Sequence, residues 1–384
     1  MSSSFLSRSL SALRCMPAAL RNALSIPAET RLATPLLAIA GVTLALTGAY
    51  AYAAGWLTPH RLTPSRIIST FNANAGTYAG FRRNQAKGIC VTGYFDGNGN
   101  ASQFSSASVF DAARTPVIGR FAIPGGNPLI SDAGSPVRSL ALLFQLADGE
   151  QWRTGMNNTP VFAVHTPQAF YEQLTASRPD PATGKPDPAR MKAFFNAHPE
   201  TAAFRQWVAA HPPSSGLENG TYYSINAFQL INAAGDKQYV RWAMVPEQSY
   251  TPVGRDIKDP DFLSRGLQQQ LQKAGQGGLH WHLMLTLAKP GDVTDDATQA
   301  WPADRPSIDA GILTLTQAIT QDDGPCRDVN FDPLILPRGI QPSADPLLAA
   351  RSGAYSRSFN LRTREEAAGL ANADADAHTR SGGA

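Results

Sequence analysis

From residue 32 to 57 the chain is rich in Leu, Ala, Ile and Val, and no charged side chain interrupts the stretch between Arg31 and His60. A run of that length suffices to cross a bilayer as a helix. Beyond it the apolar period changes. Residues 64–74 read as a short helix, with Thr63 as its N-cap and Pro64 in the first turn, where a missing N–H costs nothing. Residues 88–95, 117–123, 140–146 and 161–164 are continuous or alternating apolar runs bounded by Gly and Asn, and they predict strands. Asp148-Gly149 is a hairpin turn signal that returns the third of these runs through 151–154.

Residues 170–174, 189–197 and 202–210 predict helices, the last two parted by His198-Pro199. Strand character returns at 222–231 and 238–245, joined by Ala234-Gly-Asp236, and again at 279–288. Before the last of these, 260–274 predicts a helix with a Gln-rich exposed face. An irregular connection is expected over 337–346, and Leu347 opens a final helix. Many strands with helices clustered between them predict an α+β domain, and the long antiparallel runs point to a closed barrel. Residues 365–384 are Ala-, Gly- and Asp-rich with few apolar side chains, and are expected to be disordered.

The 384 residues, 43% hydrophobic and 16% charged, suffice for one large core. One domain at 58–364 behind a leader therefore fits better than two equal domains. A net charge of +3 is too small and too dispersed for a nucleic-acid surface. Arg190, Lys192, Arg362 and Arg364 also lack interleaved aromatics for base stacking, so no nucleic-acid partner is expected. Arg8, Arg14, Arg21 and Arg31, against Glu29 alone, make 1–31 a basic leader that stays cytoplasmic. Segment 32–57 then serves as a transmembrane anchor, with Trp56 and either Tyr50 or Tyr52 near its outer interface. The rival is a signal segment cleaved at Ala49-Tyr-Ala51 or Ala51-Tyr-Ala53. With Cys15 on the leader, Cys90 and Cys326 remain as a pair in an oxidising compartment. A disulfide between them and a free buried thiol at Cys90 both fit the sequence.

Near the C-terminus, Arg351-Ser-Gly-Ala-Tyr355 is followed by Arg362, and on a helix these i, i+4 and i+11 positions share one face. Two permanent cations beside a phenol favour its anion. A buried phenolate is a hard oxygen ligand that suits ferric haem iron. A surface helix with a half-buried tyrosine and two solvated arginines has the same spacing. Other clusters carry less. His280-Trp-His282 puts two imidazoles on one strand face with no third zinc ligand nearby. Residues 292–296 lack the Gly and closing Glu of a calcium loop, and Gly275-Gln-Gly-Gly278 lacks the lysine of a phosphate loop.

Five segments occur in order between about Leu62 and Arg362: Arg82-Arg-Asn-Gln-Ala-Lys-Gly88, Thr115-Pro-Val-Ile-Gly-Arg-Phe121, Asn157-Asn-Thr-Pro-Val-Phe162 with Phe170 beyond it, Phe331-Asp-Pro, and Arg351-x-x-x-Tyr355. Together they resemble the catalase superfamily, specifically its small bacterial catalase-related haem peroxidases. The first is similar to that family's Arg-x-x-His-Ala-Lys-Gly segment and the second to its Thr-Pro-x-x-x-Arg-Phe-Ser strand. The third matches its Asn-Asn-Thr-Pro-x-Phe motif. Two positions depart: Gln85 stands where the family has its distal catalytic histidine, and Ala122 where it often has the serine that orients that histidine. The two losses cohere, because with no imidazole to orient the hydroxyl has no partner.

The resemblance implies an antiparallel β-barrel catalase core with inserted helices, preceded by one transmembrane or signal helix. It implies haem b between the barrel wall and the final helix, with Tyr355 on the iron and Arg351 paired to the tyrosinate. Arg82, Arg120 and Arg362 are expected to hold the propionates or tune the ligand side, and Phe162 and Phe170 to bind the cofactor. Asn157 is expected to hydrogen-bond the peroxide, beside Gln85. Glutamine cannot shuttle a proton near neutral pH. The implied function is a haem-dependent peroxidase using hydrogen peroxide or an organic hydroperoxide and an organic reductant, its activity weakened or altered. The alternatives are a membrane-tethered haem-binding or peroxide-sensing protein, and an enzyme that rearranges organic hydroperoxides. The implied location is a bacterial inner membrane with the domain in the periplasm, or the periplasm itself after cleavage.

Overall fold

The computed structural model describes residues 28–53, 57, 61–254 and 256–370. Most of the basic leader and the tail beyond residue 370 lie outside the described residues. Two compact units part at Thr63. In the first, helix α1 (Ala28–Ala53) contains the stretch Pro35–Ala53, with mean hydropathy 1.7 and only 6% of it buried. Leu36, Leu37, Ile39, Val42, Leu44 and Leu46 all stand exposed. This is one helix long and apolar enough to cross a membrane, and its length and composition suit a signal segment equally.

Among its described residues the second unit contains ten strands. In chain order these are β1 (Gly88–Gly97), β2 (Arg114–Ala122), β3 (Ser139–Gln145), β4 (Gln151–Asn157), β5 (Tyr222–Tyr223), β6 (Phe228–Ile231), β7 (Lys237–Pro246), β8 (Leu279–Leu287), β9 (Ser307–Thr320) and β10 (Ile340–Pro342). Its helices are α2 (Pro64–Ala75), α3 (Pro167–Ala176), α4 (Pro188–Ala197), α5 (Thr201–Ala210), α6 (Phe262–Ala274) and α7 (Pro346–Ala367). Antiparallel pairing runs from β1 through β2, β3, β4, β5, β7, β8 and β9, and β9 pairs with β1 again. The eight strands thus close a barrel, which removes the free edges an open sheet would expose. Strands β6 and β10 extend from β7 outside the closed ring.

Strand β4 shows why the barrel divides inside from outside. Trp152, Thr154 and Met156 are buried, while the alternating Gln151, Arg153, Gly155 and Asn157 are only partly covered, the two-residue period of a strand with one face in the core. Aromatic rings fill the interior: Phe144 stacks on Trp152 at 4.7 Å and Phe228 on Trp242 at 4.2 Å. With the lumen packed, any ligand has to sit on the outer wall. The turn at Asp148, whose carboxylate accepts from Glu150 N at 3.0 Å, fixes the β3–β4 register from Gln145 opposite Gln151 to Ser139 opposite Asn157. Helices α2 and α3 pack against α7 beside that wall.

Several elements differ from their sequence expectation. Residues 161–164 form no strand, because the chain has already left the sheet at Asn157, and Phe162 N donates to Ala297 O at 2.8 Å instead. The expected strand 222–231 is broken into β5 and β6 around Ile225, whose φ of 67° no strand residue adopts. Strand β9, the longest, carries Thr and Gln among its apolar residues and gave no clean alternation. Helix α7 continues past residue 364 to Ala367, with Glu365 ion-paired to Arg83, so the first residues of the expected tail are ordered here. Cys90 on β1 and Cys326 form a disulfide with Cα atoms 5.3 Å apart.

Candidate functional site

Gly88, Ala122, Ser139 and Asn157 form one row across β1, β2, β3 and β4, each paired to the next. One pleat away lies a second row, Cys90, Arg120, Ala141 and Gly155. Both rows face outward, since Phe121, Leu140 and Met156 between them belong to the packed interior. Opposite this wall stands α7, whose Arg351, Tyr355 and Arg362 line one cavity together, as their spacing predicts. Ile67, Ile68 and Phe71 of α2, Phe170 of α3, and Phe162 and Phe331 from loops supply its apolar sides.

The wall is flat where the helix comes closest. A Cβ on Gly155 would lie 2.8 Å from Arg351 Nη2 and 3.3 Å from Tyr355 Oη. Only glycine admits that approach. Arg351 is fixed from both sides: Nη2 donates to Gly155 O at 3.0 Å and Nη1 to Asn226 Oδ1 at 2.9 Å. Asn226 in turn donates to Asp345 Oδ2 at 2.7 Å, and Asp345 caps α7 through Leu347 N. The Arg351 guanidinium carbon lies 5.9 Å from the centroid of the Tyr355 ring.

Three further guanidiniums converge here and bond carbonyls rather than carboxylates. Arg82 Nη2 donates to Cys326 O at 3.0 Å and Val329 O at 2.9 Å, and Arg362 Nη1 to Arg327 O at 2.5 Å. Arg120 Nη2 donates to Gln85 O at 2.8 Å and Gln321 Oε1 at 2.7 Å. Arg120 and Arg362 are each 2% exposed, and the Nε of each has no partner. Burial pushes Arg120 down to about 9, helped by Arg362 and opposed by Tyr355. Arg82 is held well below the ordinary arginine value by burial, then by Arg120 and Arg362. Burial likewise lowers Arg362. Arginine keeps its proton regardless, and although Asp328 and Glu366 offset part of the charge, the cluster stays a positive site that an anion would relieve.

At the other end of the cavity Gln85 has φ of 57°, a conformation costly outside glycine. Asn84 holds it there, its Oδ1 accepting from both Gln85 N and Gly125 N at 2.9 Å. Gln85 Nε2 donates to Ser139 Oγ at 2.7 Å, and Ser139 Oγ donates to Asn157 Oδ1 at 2.7 Å. Position 122 carries no hydroxyl, and the neighbouring strand supplies one to Gln85 instead.

Every residue to which the resemblance gave a role at the cofactor or the peroxide lines this cavity: Arg82, Gln85, Arg120, Asn157, Phe162, Phe170, Arg351, Tyr355 and Arg362. Sequence reasoning missed Asn84, Ser139 and Asn226. Ser139 was within reach, since folding the chain back at Asp148-Gly149 sets it opposite Asn157. Asn226 gave no such signal. His280 and His282 lie elsewhere, bonded to Glu247 at 3.1 and 3.3 Å, with His282 also 2.7 Å from Asp309.

The sequence matches the Catalase family model over residues 79–379. A protein of Synechococcus elongatus named catalase-related peroxidase is 38% identical over 306 residues, 79% of this chain and 89% of its own length. Another of that name from Mycolicibacterium paratuberculosis is 31% identical, covering 79% of this chain and 95% of its own. Among solved structures, a fungal catalase superposes with a TM-score of 0.67 at 20% identity, over 74% of this chain and 59% of that one. Catalase A from Saccharomyces cerevisiae gives 0.65 at 19%, over 74% and 61%. At such identities the likeness shows the fold alone, and the chain spans about three fifths of the length of these two catalases. On the family match and the relatives covered nearly end to end, this chain belongs to the catalase family.

Proposed function

We propose that the chain is a haem-dependent peroxidase, taking hydrogen peroxide or an organic hydroperoxide as oxidant and an organic electron donor as reductant, with Tyr355 as the ligand of the iron of haem b. Proteins of the catalase family bind haem, and the relatives at 38% and 31% identity support a peroxidase of that family. The observation that carries the reading is the buried cluster of Arg82, Arg120 and Arg362 beside Tyr355, with two guanidinium Nε atoms unpartnered. A flat apolar molecule bearing two carboxylates fits both the charge of that cluster and the aromatic sides of the cavity.

Bound there, haem supplies the oxidation chemistry. Tyr355 would give the iron its oxygen ligand, with Arg351 held over the ring by Asn226 and the Gly155 carbonyl. Arg82, Arg120 and Arg362 would hold the propionates, while Phe162 and Phe170 pack against the macrocycle. Gln85 and Asn157 would orient the peroxide. Gln85 takes the place of the family motif's histidine, and an amide holds a proton donor or acceptor in place without exchanging protons near neutral pH. Loss of a positioned acid–base group costs about 10² to 10⁴ in rate. That cost favours, as a second reading, a haem-binding or peroxide-sensing protein that turns over little.

The exposed apolar helix α1 supports attachment to a membrane, with residues 1–31 cytoplasmic and the domain at 58–364 in the periplasm. Protease added to spheroplasts should then digest membrane-bound protein, whereas a soluble form beginning near Ala54 would mark cleavage. The central test is an optical spectrum of the purified chain, before and after peroxide, with a dye as donor. Haem uptake that Tyr355→Phe abolishes or spectrally alters supports the ligand. An identical spectrum in that variant overturns it. Haem uptake without dye oxidation selects the sensing role.

A further inference from the structure

Ser139 is 4% exposed, so no bulk water can stand in for its hydroxyl. A hydroxyl has one hydrogen. That of Ser139 goes to Asn157 Oδ1, and its oxygen accepts from Gln85 Nε2, both at 2.7 Å. Each amide therefore has one end spent on the serine and the other left toward the cavity that both side chains line. The free ends are of opposite kind: Gln85 Oε1 accepts and Asn157 Nδ2 donates.

We propose that Ser139 is a positioning residue that orders Gln85 and Asn157 head to tail, so that the cavity offers one acceptor and one donor. A hydroperoxide carries an O–H to donate and an oxygen to accept, and both are met. A bare anion only accepts; it is met by Asn157 and repelled by the Gln85 oxygen. The pair thus selects hydroxyl-bearing ligands over halide-like ones without any titrating group. The backbone of Gln85 is pinned by Asn84 and Arg120. What the serine controls is the terminal amide torsion, which is otherwise broad and two-fold.

The proposal rests on the haem reading only for the probe used to test it. In haem-loaded full-length chain, fluoride affinity is measured by optical titration. Ser139→Ala frees the Gln85 amide to turn its NH₂ inward, giving the anion a second donor. Affinity should rise about fivefold, the worth of one net hydrogen bond. Ser139→Thr, which keeps the hydroxyl, should return it to within about twofold of wild type. A merely structural role predicts the opposite sign, so unchanged or weaker fluoride binding in Ser139→Ala overturns the proposal. Should the wild-type chain take up no haem, the functional reading fails and the ordering is judged separately. Selectively ¹⁵N-labelled side-chain NH₂ resonances of Gln85 and Asn157 should then both move in Ser139→Ala and return in Ser139→Thr. An unmoved Asn157 resonance overturns the ordering.

Discussion

Ser139 stands directly opposite Ala122 in the β2–β3 ladder, with its Oγ 2.7 Å from Gln85 Nε2. Paired positions in an antiparallel sheet hold their Cβ atoms about 4.5–5.5 Å apart. A hydroxyl absent from one strand is thus recovered from its neighbour with a small displacement, and the alanine leaves room for it. Gln85 and Ala122 look in the sequence like the joint loss of a group and its orienter. In space the hydroxyl that meets Gln85 comes from one strand over.

That relocation changes what repair of the site requires. Gln85→His alone should raise peroxide-dependent dye oxidation by about 10² to 10⁴, since the imidazole restores proton transfer. Ser139 already offers an oxygen to fix the ring, so adding Ala122→Ser should change kcat/KM by less than about twofold, and Ser139→Ala in the histidine background should reverse part of the gain. A double Gln85→His, Ala122→Ser variant far more active than the single one would put the orienting role at residue 122 after all.

Gly155 tests the proximity of sheet and helix. A valine there drives its side chain into Arg351 and the Tyr355 oxygen, at a cost of about 1–3 kcal/mol for overpacking. Because the displaced groups are those proposed to meet haem, affinity for it should fall about ten- to a hundredfold, as read by haem transfer to apomyoglobin. Wild-type affinity in Gly155→Val would mean that the phenol does not need its present place.

The barrel was legible because each strand that alternates cleanly has one dry face, and the Asp148 turn fixes the register between two of them. Strand β9 was not, because Thr and Gln on its outer face blur the period. Strand β10, three residues long, is defined only by its partner β6. Helical spacing put Arg351, Tyr355 and Arg362 on one face, and the resemblance of the other segments placed that face at a site. Ser139 required combining two correct readings, a hairpin and a motif beginning at Asn157. Asn226 could not be found, since it reaches Arg351 only through the backbone turn at Ile225.

A pH test applies to the helices beside the site. His198 lies between Glu172 at 2.8 Å and Glu200 at 3.0 Å. Burial alone would lower it, but the two carboxylates override this and hold it above the ordinary histidine value. A raised value means that its stabilisation is complete below the unfolded value of about 6.5 and disappears as pH rises through the folded one. The stability difference between wild type and His198→Asn, from urea unfolding, should therefore shrink between about pH 5.5 and 8.5. A difference that widens would assign the histidine a neutral role.

The disulfide should support both the fold and the cation cluster. It ties β1 to the segment whose carbonyls, at Cys326, Arg327 and Val329, receive Arg82 and Arg362. The bridge spans 236 residues of chain, so its removal should cost about 2–5 kcal/mol, mostly by enlarging the unfolded ensemble. Freed from β1, the segment should also hold its carbonyls less firmly, and haem should dissociate faster. Replacing Cys90 and Cys326 by alanine tests this without leaving either half of the bridge as a reactive thiol. Gly324→Val provides an independent route, since a Cβ there would lie 2.5 Å from both Cys90 Cβ and Sγ and would oppose closure while keeping both sulfurs. The two variants should share a lowered Tm and faster haem loss, and thiol titration of the Gly324 variant should find two more thiols than the wild type, which has Cys15 outside the bridge. A lowered Tm with unchanged haem dissociation would confine the bridge to the fold and separate it from the arginine cluster.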